Sequence, residues 1–222
     1  MSFVVVIPSA RAENLIPCVR ALREREHGAE IIVIDDGARE TAESQIHDVR
    51  WIPGIKPFVF ARNVNLGIAA AQDKTVILLN DDALLLTPYG FSHMEECARA
   101  EQIGILSAAV VGVVGNPNQH PRPRVGSRKE TRTLAFICVA IPSTTIQRLG
   151  LLDERFTGYG CEDTDYCERA KKAGLTMGVY DSCVVEHSTV LRPTFRGGDK
   201  VAFQKMDAKA KRIFSEKWGW RP

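Results

Sequence analysis

The feature that most restricts the fold is a pair of apolar, β-branched runs near the start of the chain, separated by one helical segment. Phe3–Ile7 is a continuous apolar run that stops at Pro8, and Ile31–Ile34 is a second such run. Unbroken apolar runs of this length are typical of strands that are buried on both faces. The intervening segment from Leu15 to Leu22 carries apolar residues at helical spacing. This pattern predicts a β-α-β unit with parallel strands and a right-handed crossover.

The alternation of strands and helices continues along the rest of the chain. Further strands are predicted at Val49–Ile52, Pro57–Phe60, Thr75–Leu79, Gly104–Val114, Leu134–Ile141, Thr176–Tyr180 and Val184–His187. Further helices are predicted at Gly67–Asp73, Pro88–Gln102, Pro142–Leu149, Cys161–Ala173 and Lys200–Lys217. No repeat or linker interrupts the pattern. We therefore expect one α/β domain over residues 1–199, followed by a helical extension over residues 200–222.

Composition excludes several classes of protein. The formal net charge of +2, from 29 Lys+Arg against 27 Asp+Glu, is too small to indicate a nucleic-acid-binding protein. The six cysteines contain no Cys-x-x-Cys pair, which argues against a zinc site or a dense disulfide framework. The N-terminus lacks the pattern of a signal peptide, and the later apolar stretches are shorter than the roughly 20 residues that span a bilayer. We expect a cytoplasmic protein without an integral membrane segment.

Acidic residues follow the predicted strands where ligands usually bind in α/β sheets. Asp35-Asp36 and Asp81-Asp82 each come directly after a strand, and Glu162, Asp163 and Asp165 open a predicted helix. The first pair also fits an ordinary turn, and the third group also fits the acidic start of a helix. The second pair is flanked by apolar chain, where two carboxylates repel each other unless a cation or donors compensate. Mg²⁺ held by carboxylates and substrate phosphates provides such compensation.

Two common phosphate-binding motifs are absent from the sequence. No G-x-G-x-x-G follows the first strand, and no G-x-x-x-x-G-K-[ST] occurs. These absences disfavour a Rossmann dinucleotide site and P-loop chemistry. A phosphate ligand would then be held through a metal ion.

Seven segments occur in an order that resembles a known family. They are Val4–Pro8, Ile32–Gly37, the N-x-G segment Asn65–Gly67, the N-x-D segment Asn80–Asp82, the E-D-x-D helix within Phe156–Gly174, Val185–His187 and Phe214–Gly219. Together they resemble an inverting family 2 glycosyltransferase with the GT-A fold. The resemblance implies a Rossmann-like domain, in which a mostly parallel central sheet is flanked by helices. Its nucleotide-binding half would cover about residues 1–110 and its acceptor half about residues 111–199.

The resemblance also implies a reaction and a donor site. A hexosyl or deoxyhexosyl group would pass from a UDP-, dTDP- or GDP-sugar to an acceptor hydroxyl, with inversion. Asp82 would bind Mn²⁺ or Mg²⁺ directly and His187 would be the second ligand, although a histidine at a strand end is also commonly held by hydrogen bonds alone. The residues implied in nucleotide-sugar binding are Pro8, Ser9, Arg11, Asp35, Asp36, Asn65, Gly67, Asn80 and Asp81.

On the acceptor side, the resemblance implies that Asp163 is the general base. Glu162, Asp165 and Tyr159 would bind the acceptor, which could be a glycan, a lipid-linked glycan or another hydroxylated molecule. Nucleic acid is expected only as an acceptor. The loops at 115–132 and 192–200 would form the acceptor walls. The first loop is basic, and it fits either a solvated mobile loop or a contact for an anionic acceptor.

Two other functions remain to be compared with glycosyl transfer. A sugar-phosphate nucleotidyltransferase has a similar α/β order but carries a Gly-rich motif after its first strand, where this chain has Pro8-Ser9-Ala10-Arg11. A non-catalytic module that binds sugar nucleotides or glycans would not need Asp163. Turnover of a nucleotide sugar separates these alternatives.

Overall fold

The two apolar runs at the start of the chain form neighbouring parallel strands, with Val5 paired to Ile31. This is seen in the computed structural model, which describes residues 2–113, 116–157, 160–187 and 200–222. The strands are β1 Phe3–Ser9, β2 Glu30–Asp35, β3 Val49–Pro53, β4 Thr75–Leu79, β5 Ala83–Leu85, β6 Ile105–Gly112, β7 Ser127–Lys129, β8 Cys138–Ile141 and β9 Met177–His187. The helices are α1 Ala12–Arg25, α2 Arg39–Ala42, α3 Phe60–Ala70, α4 Gly90–Ala100, α5 Ser143–Leu149, α6 Glu162–Lys172 and α7 Lys200–Trp218.

Strand β1 is buried along its whole length because helices cover both faces of the sheet. Val5 and Ile7 face one hydrophobic core, together with Leu15 of α1. Val4 and Val6 face a second core on the other side of the sheet, where α3 packs. Alternate side chains of the strand therefore reach opposite layers, as the two-residue period of a strand requires.

The sheet is mixed. The described strands form a single sheet in the order β3-β2-β1-β4-β8-β6-β9-β5, and β7 also pairs with β9. The β3-β2-β1-β4 portion is parallel, whereas β8 runs antiparallel to both β4 and β6. The predicted α/β class, with a central sheet flanked by helices, is confirmed. The parallel arrangement expected for most of the sheet is found in its N-terminal portion and in the β6–β9 pair.

Several parts of the sequence prediction are wrong in detail. The strand predicted over Leu134–Ile141 begins only at Cys138. The strand predicted at Pro57–Phe60 is not present, because the chain there leads into α3. Helix α3 covers Phe60–Ala70, so it begins seven residues before the helix predicted over Gly67–Asp73 and also ends before it. Ala61, Val64 and Ile68 of this helix are buried at helical spacing, so one face of α3 packs on the sheet. The strands predicted on either side of Asp181 are one strand, β9, whose register against β6 shifts between Ala108 and Ala109.

Helix α7 packs against the segment that leads into α6. Ala210 and Phe214 of α7 form a small buried cluster with Phe156 and Cys161. In the described ranges, each helix is either too short or too polar to traverse a lipid bilayer.

Candidate functional site

The ends of three parallel strands meet at one edge of the sheet and are joined by hydrogen bonds. Ser9, the last residue of β1, lies opposite Asp35, the last residue of β2. The Asp36 amide donates to the Ser9 carbonyl at 2.8 Å. The Ser9 hydroxyl donates to Asp81 Oδ2, beyond the end of β4, at 2.7 Å. The predicted donor-site residues Ser9, Asp35, Asp36 and Asp81 therefore lie together.

Asp81 is buried and held in place by hydrogen bonds. Besides the Ser9 hydroxyl, the side-chain amide of Asn14 on α1 contacts Asp81 Oδ1 at 3.4 Å. These contacts fix the turn that carries Asn80 and Asp82. The role of Asp81 toward a nucleotide sugar stays a prediction.

Asp35 and Asp36 have different surroundings although they are adjacent. Asp35 Oδ1 accepts hydrogen bonds from the amides of Gly37 at 2.9 Å and Arg39 at 3.0 Å, so this carboxylate closes the turn before α2. Asp36 Oδ1 is buried and has no hydrogen-bond partner in the described structure. Burial raises the pKa of Asp36, and the nearby Lys56 ammonium opposes that shift. Because buried polar atoms are normally hydrogen-bonded, this oxygen lacks the partner that its position calls for.

Asn80 presents a second buried acceptor. Its side-chain Oδ1 has no hydrogen-bond partner among the described residues. Its backbone is fixed, because the Asn80 amide donates to the Ile137 carbonyl at 2.9 Å and its own carbonyl accepts from Ala83 at 3.1 Å. The backbone of Asn80 is thus held at the end of β4, and its side-chain oxygen, like Asp36 Oδ1, has no hydrogen-bond partner among the described residues.

The other predicted donor-site residues lie around this edge or behind it. Pro8 is in β1, and the Arg11 amide contacts the Ser9 hydroxyl oxygen at 3.3 Å. Asn65 binds elsewhere, since its Nδ2 donates to the Leu152 carbonyl at 3.0 Å and its Oδ1 accepts from the Leu152 amide at 2.9 Å. Gly67 lies against β1, where an added Cβ would be 2.2 Å from Val6 Cγ1. These contacts give Asn65 and Gly67 packing roles, and their contact with a donor stays a prediction.

The two predicted metal ligands are adjacent in space. Asp82 Oδ1 lies 3.1 Å from His187 Nε2, although 105 residues separate them in sequence. The other ring nitrogen, Nδ1, lies 2.6 Å from the Val113 carbonyl oxygen. A carbonyl can only accept, so Nδ1 carries the proton and its bond fixes the ring orientation.

This arrangement fits a cation. With the proton on Nδ1, a neutral ring turns the lone pair of Nε2 toward the carboxylate oxygen of Asp82. Two acceptors at 3.1 Å need either a proton on Nε2 or a cation that both bind. In the described ranges, no group of three or more His, Cys, Asp or Glu side chains is placed to hold a metal. A site with two protein ligands suits an ion that also binds a diphosphate and water.

A second cluster of acids lies at the start of α6. Asp163 Oδ1 accepts from the Thr164 amide at 2.6 Å, and the Phe136 amide also binds this carboxylate. Burial raises the pKa of Asp163 even though these donors favour its charged form. Burial, followed by the charge of Asp163, raises the pKa of Glu162 to about 8. A carboxylate with a raised pKa is a better proton acceptor, which fits a general base.

Asp163 opens into a cavity of about 300 Å³. The cavity is lined by Asn116, Thr133, Ala135, Asp163, Thr164, Trp220 and Pro222. It has room for a small ligand next to the carboxylate, since small-molecule sites typically measure roughly 300–1,000 Å³.

Asp165 has contacts that differ from those expected of an acceptor-binding residue. Its side chain is fully buried; Oδ2 accepts from Arg169 Nε at 3.0 Å, and Oδ1 accepts from Trp218 Nε1 at 2.8 Å. Lys217 Nζ lies 2.7 Å from Oδ1. We therefore assign Asp165 to anchoring α7, and its predicted contact with the acceptor has no support in this arrangement.

The basic loop is tied to the sheet. Arg128 is buried, and its Nε donates to Asp181 Oδ2 of β9 at 2.8 Å. The Arg122 amide donates to Asp181 Oδ1 at 2.9 Å. Arg128 is therefore part of the packing, which leaves fewer of the loop's charges for an anionic acceptor.

Some site residues were missed by sequence reasoning, and some predicted ones lie outside the described residues. Asn14 and Trp220 were not identified, since a helical Asn and a tryptophan beyond the last motif carry no sequence signal of a site. Trp218 lies in the Phe214–Gly219 segment, which was noted but given no role. Tyr159 and most of the loop at 192–200 lie outside the described residues.

Comparison with known proteins bears on the family and the fold. Residues 4–145 match the sequence model of glycosyl transferase family 2. No curated protein sequence matches the chain. The crystal structure of GalNAc-T7 with UDP, GalNAc and Mn²⁺ is similar, with a TM-score of 0.69 and 12% identity over 98% of this chain. The chain spans 50% of that protein's length.

A second similar structure is that of residues 1–349 of TarS from S. aureus. It has a TM-score of 0.65 and 12% identity, and the match covers 99% of this chain and 72% of that one. Identities this low establish similarity of fold, whereas the sequence match over most of the chain establishes the family. The chain belongs to glycosyltransferase family 2 and has the GT-A fold.

Proposed function

We propose that the chain is a metal-dependent inverting glycosyltransferase, which moves a sugar from a nucleoside diphosphate sugar to an acceptor hydroxyl. The observation that carries the proposal is the pairing of Asp82 with His187 at 3.1 Å, with the ring oriented by the Val113 carbonyl. Two ligands brought together from the ends of β4 and β9 form half of a cation site beside the predicted nucleotide pocket.

The donor half of the reaction needs the leaving diphosphate to be stabilised. Mn²⁺ or Mg²⁺ bound at Asp82 and His187 would neutralise the charge that develops there. The buried oxygens of Asp36 and Asn80 that have no partner in the described structure would accept hydrogen bonds from the base or the ribose once a donor orders around them. Asp81, held by Ser9, keeps this turn rigid, so that the donor does not have to organise it on binding.

The acceptor half needs a base on the other face of the sugar. In a single displacement, the acceptor oxygen forms a bond to the anomeric carbon while the bond to the diphosphate breaks. Asp163 takes the proton of the attacking hydroxyl, and Glu162 lies next to it to orient the acceptor. The raised pKa of Asp163 suits this role, because its buried carboxylate binds the proton of the acceptor more strongly than an exposed carboxylate would.

The donor is a UDP-, dTDP- or GDP-sugar carrying a hexosyl or deoxyhexosyl group. UDP is the first candidate because the GalNAc-T7 structure was solved with UDP, GalNAc and Mn²⁺. The acceptor carries a hydroxyl group and belongs to a glycan, a lipid-linked glycan or another hydroxylated molecule, nucleic acid included. We also propose a cytoplasmic location, which is supported by the six cysteines, all of them free thiols.

A panel of nucleotide sugars tests the function. Each is added with Mn²⁺, with Mg²⁺ or with EDTA, and the thermal unfolding midpoint and the hydrolysis of the donor are recorded. We expect one nucleotide to raise the midpoint only with metal, and its sugar form to be hydrolysed slowly. A metal-dependent shift without hydrolysis or transfer would favour the non-catalytic binding module. No shift with any nucleotide would contradict both.

A further inference from the structure

The cavity beside Asp163 is lined in part by Trp220, a residue that has no role in the sequence motifs or in the proposed chemistry. Trp220 and Pro222, which follow α7, line the cavity together with Asp163 and Thr164. The cavity is thus lined by both an acidic residue and a tryptophan. This pairing indicates what kind of molecule it can hold.

Trp220 is held in a defined orientation. Its ring packs edge-on against Phe214, with the ring centroids 4.8 Å apart and the planes at 80°. Phe214 itself is fully buried, and the neighbouring Trp218 is anchored by its hydrogen bond to Asp165 at 2.8 Å. Trp220 is 45% exposed, so part of its surface is accessible to a ligand. A ring that is oriented in advance loses little conformational entropy when a ligand packs on it.

An acidic residue and a tryptophan in one cavity favour a hydroxylated ring over other acceptors. A pyranose has a rim of hydroxyls and a face of C–H groups, so that it can pack its apolar face on an indole while one hydroxyl reaches a carboxylate. An acyclic polyol has the hydroxyls but no flat apolar face. Of the other lining residues, Ala135 and Thr133 are small and leave space for the ring, and no basic side chain that would favour a phosphate lines the cavity within the described residues.

We propose that Trp220 determines acceptor specificity, and that the acceptor is a pyranose ring which stacks on this indole and presents a hydroxyl to Asp163. This inference rests on the proposed function for the identity of the reaction. It goes beyond that function by assigning the acceptor class and the residue that selects it.

A titration followed by NMR tests the contact without any donor. The chain has three tryptophans, Trp51, Trp218 and Trp220, whose indole N–H signals can be assigned by single substitutions to Phe. Methyl glycopyranosides of glucose, galactose, mannose, rhamnose and N-acetylglucosamine are added one by one, with sorbitol as the acyclic control. We expect at least one pyranoside to shift the Trp220 signal saturably, with no shift at Trp51 and none with sorbitol. No saturable shift at Trp220, or an equal effect of sorbitol, would overturn the proposal.

Kinetics provide a second test once the donor panel has identified a donor. With the pyranoside that binds as acceptor, Trp220→Ala should raise the acceptor KM about tenfold and leave the donor KM unchanged. Trp220→Phe should retain most of the affinity, because an aromatic ring remains. The matched control is Tyr89→Ala, an aromatic ring of similar exposure at the start of α4 and outside the cavity.

The outcomes separate the two proposals. An unchanged acceptor KM in Trp220→Ala rules out the stacking contact, and a lowered KM means that Trp220 covers the site and does not bind the acceptor. In both cases turnover by the wild type leaves the proposed function intact. If no donor is turned over while the Trp220 signal still shifts with a pyranoside, then the pyranose site stands and the transferase function fails.

Discussion

Asp81 and Asp82 are identical neighbours in one turn, yet the fold gives them different partners. Ser9 and Asn14 contact Asp81, whereas Asp82 faces His187. Composition and spacing cannot distinguish two such carboxylates, and only the family resemblance selected Asp82 as the metal ligand. The contacts that separate them come from β1, α1 and β9, which are distant in sequence.

Replacing Asp82 tests the proposed cation site. We expect Asp82→Ala to lower the Mn²⁺-dependent affinity for the nucleotide by at least about tenfold, because even the loss of an outer partner of a metal ligand typically costs about 10–100-fold. Isothermal calorimetry with and without Mn²⁺ measures this effect. The control is Asp73→Asn, an exposed carboxylate between α3 and β4, which should bind as the wild type does. Equal Mn²⁺-dependent affinity in Asp82→Ala and wild type would refute the assignment.

The raised pKa of Glu162 predicts a pH dependence of stability. Its pKa is about 8 in the folded chain, above the usual value of 4.5. A group whose pKa is raised on folding stabilises the fold fully below about pH 4.5, and that contribution is lost as the pH rises toward about 8.

Glu162→Gln should therefore lose less stability than the wild type over this interval. Urea unfolding at pH 5 and pH 8 measures the free energy of unfolding of both proteins. The change in free energy of unfolding between the two pH values is compared for wild type and variant, so that the contribution of groups that titrate in both proteins cancels. Parallel pH dependence in wild type and variant would show that the Glu162 pKa is not raised.

At the scale of elements, the most informative contact joins α6 to α7. Asp165 on α6 binds Arg169, Lys217 and Trp218, and Lys217 also reaches Asp153 Oδ2 at 2.8 Å. The sequence predicted α7 as an extension of the domain and gave the closing Lys-Trp-Gly no contact. In the structure it is anchored to the helix that carries the proposed base.

Removing that anchor should destabilise the chain. Breaking a buried ion pair costs roughly 3–5 kcal/mol, and the partial exposure of Arg169 and Lys217 reduces this to about 2 kcal/mol for Asp165→Asn. Urea denaturation measures the difference. The control is Asp207→Asn, which removes a surface pair with Lys211 and should change stability by less than about 0.5 kcal/mol. Equal effects of the two variants would show that Asp165 is not an anchor.

The packing of α3 on β1 makes a second prediction at this scale. Gly67→Ala places a methyl group 2.2 Å from Val6 Cγ1, and overpacking of this kind costs roughly 1–3 kcal/mol. Val6→Ala removes the clashing methyl groups, so the cost of Gly67→Ala should be smaller in that background. A double-mutant cycle by urea denaturation measures the difference. Additive effects of the two substitutions on the free energy of unfolding would mean that the cost of Gly67→Ala does not arise from contact with Val6.

The strands were easier to predict than the helix boundaries, for a physical reason. Buried strands such as β4 are short runs rich in β-branched and other apolar residues, and Thr75–Leu79 was predicted at its observed bounds. The start of α3 was missed because Pro57 and the aromatic residues after it suggested an extended segment, whereas packing on β1 decides the helix. Strand β5 has three residues and forms only by pairing with β9.

At the scale of the whole molecule, the proposed donor contacts and the proposed acceptor contacts come from different parts of the fold. The strand ends of the N-terminal portion carry the proposed donor contacts, and α6 with the residues after α7 carries the proposed acceptor contacts. His187, at the end of β9, connects them, because its strand pairs with β6 while its ring faces Asp82. A sequence pattern could identify these portions through their motifs. It could not show that the residues after α7 reach the cavity at Asp163.

The central claim is that Asp163 takes the proton of the acceptor in a metal-dependent transfer. The most direct measurement compares donor binding and sugar transfer in Asp163→Asn and wild type, with Glu168→Gln on the same helix as the control. We expect Asp163→Asn to bind the donor with unchanged affinity by calorimetry and to transfer the sugar about 10²–10⁴-fold more slowly. Transfer at the wild-type rate, or loss of donor binding, would contradict the assignment of Asp163 as the base.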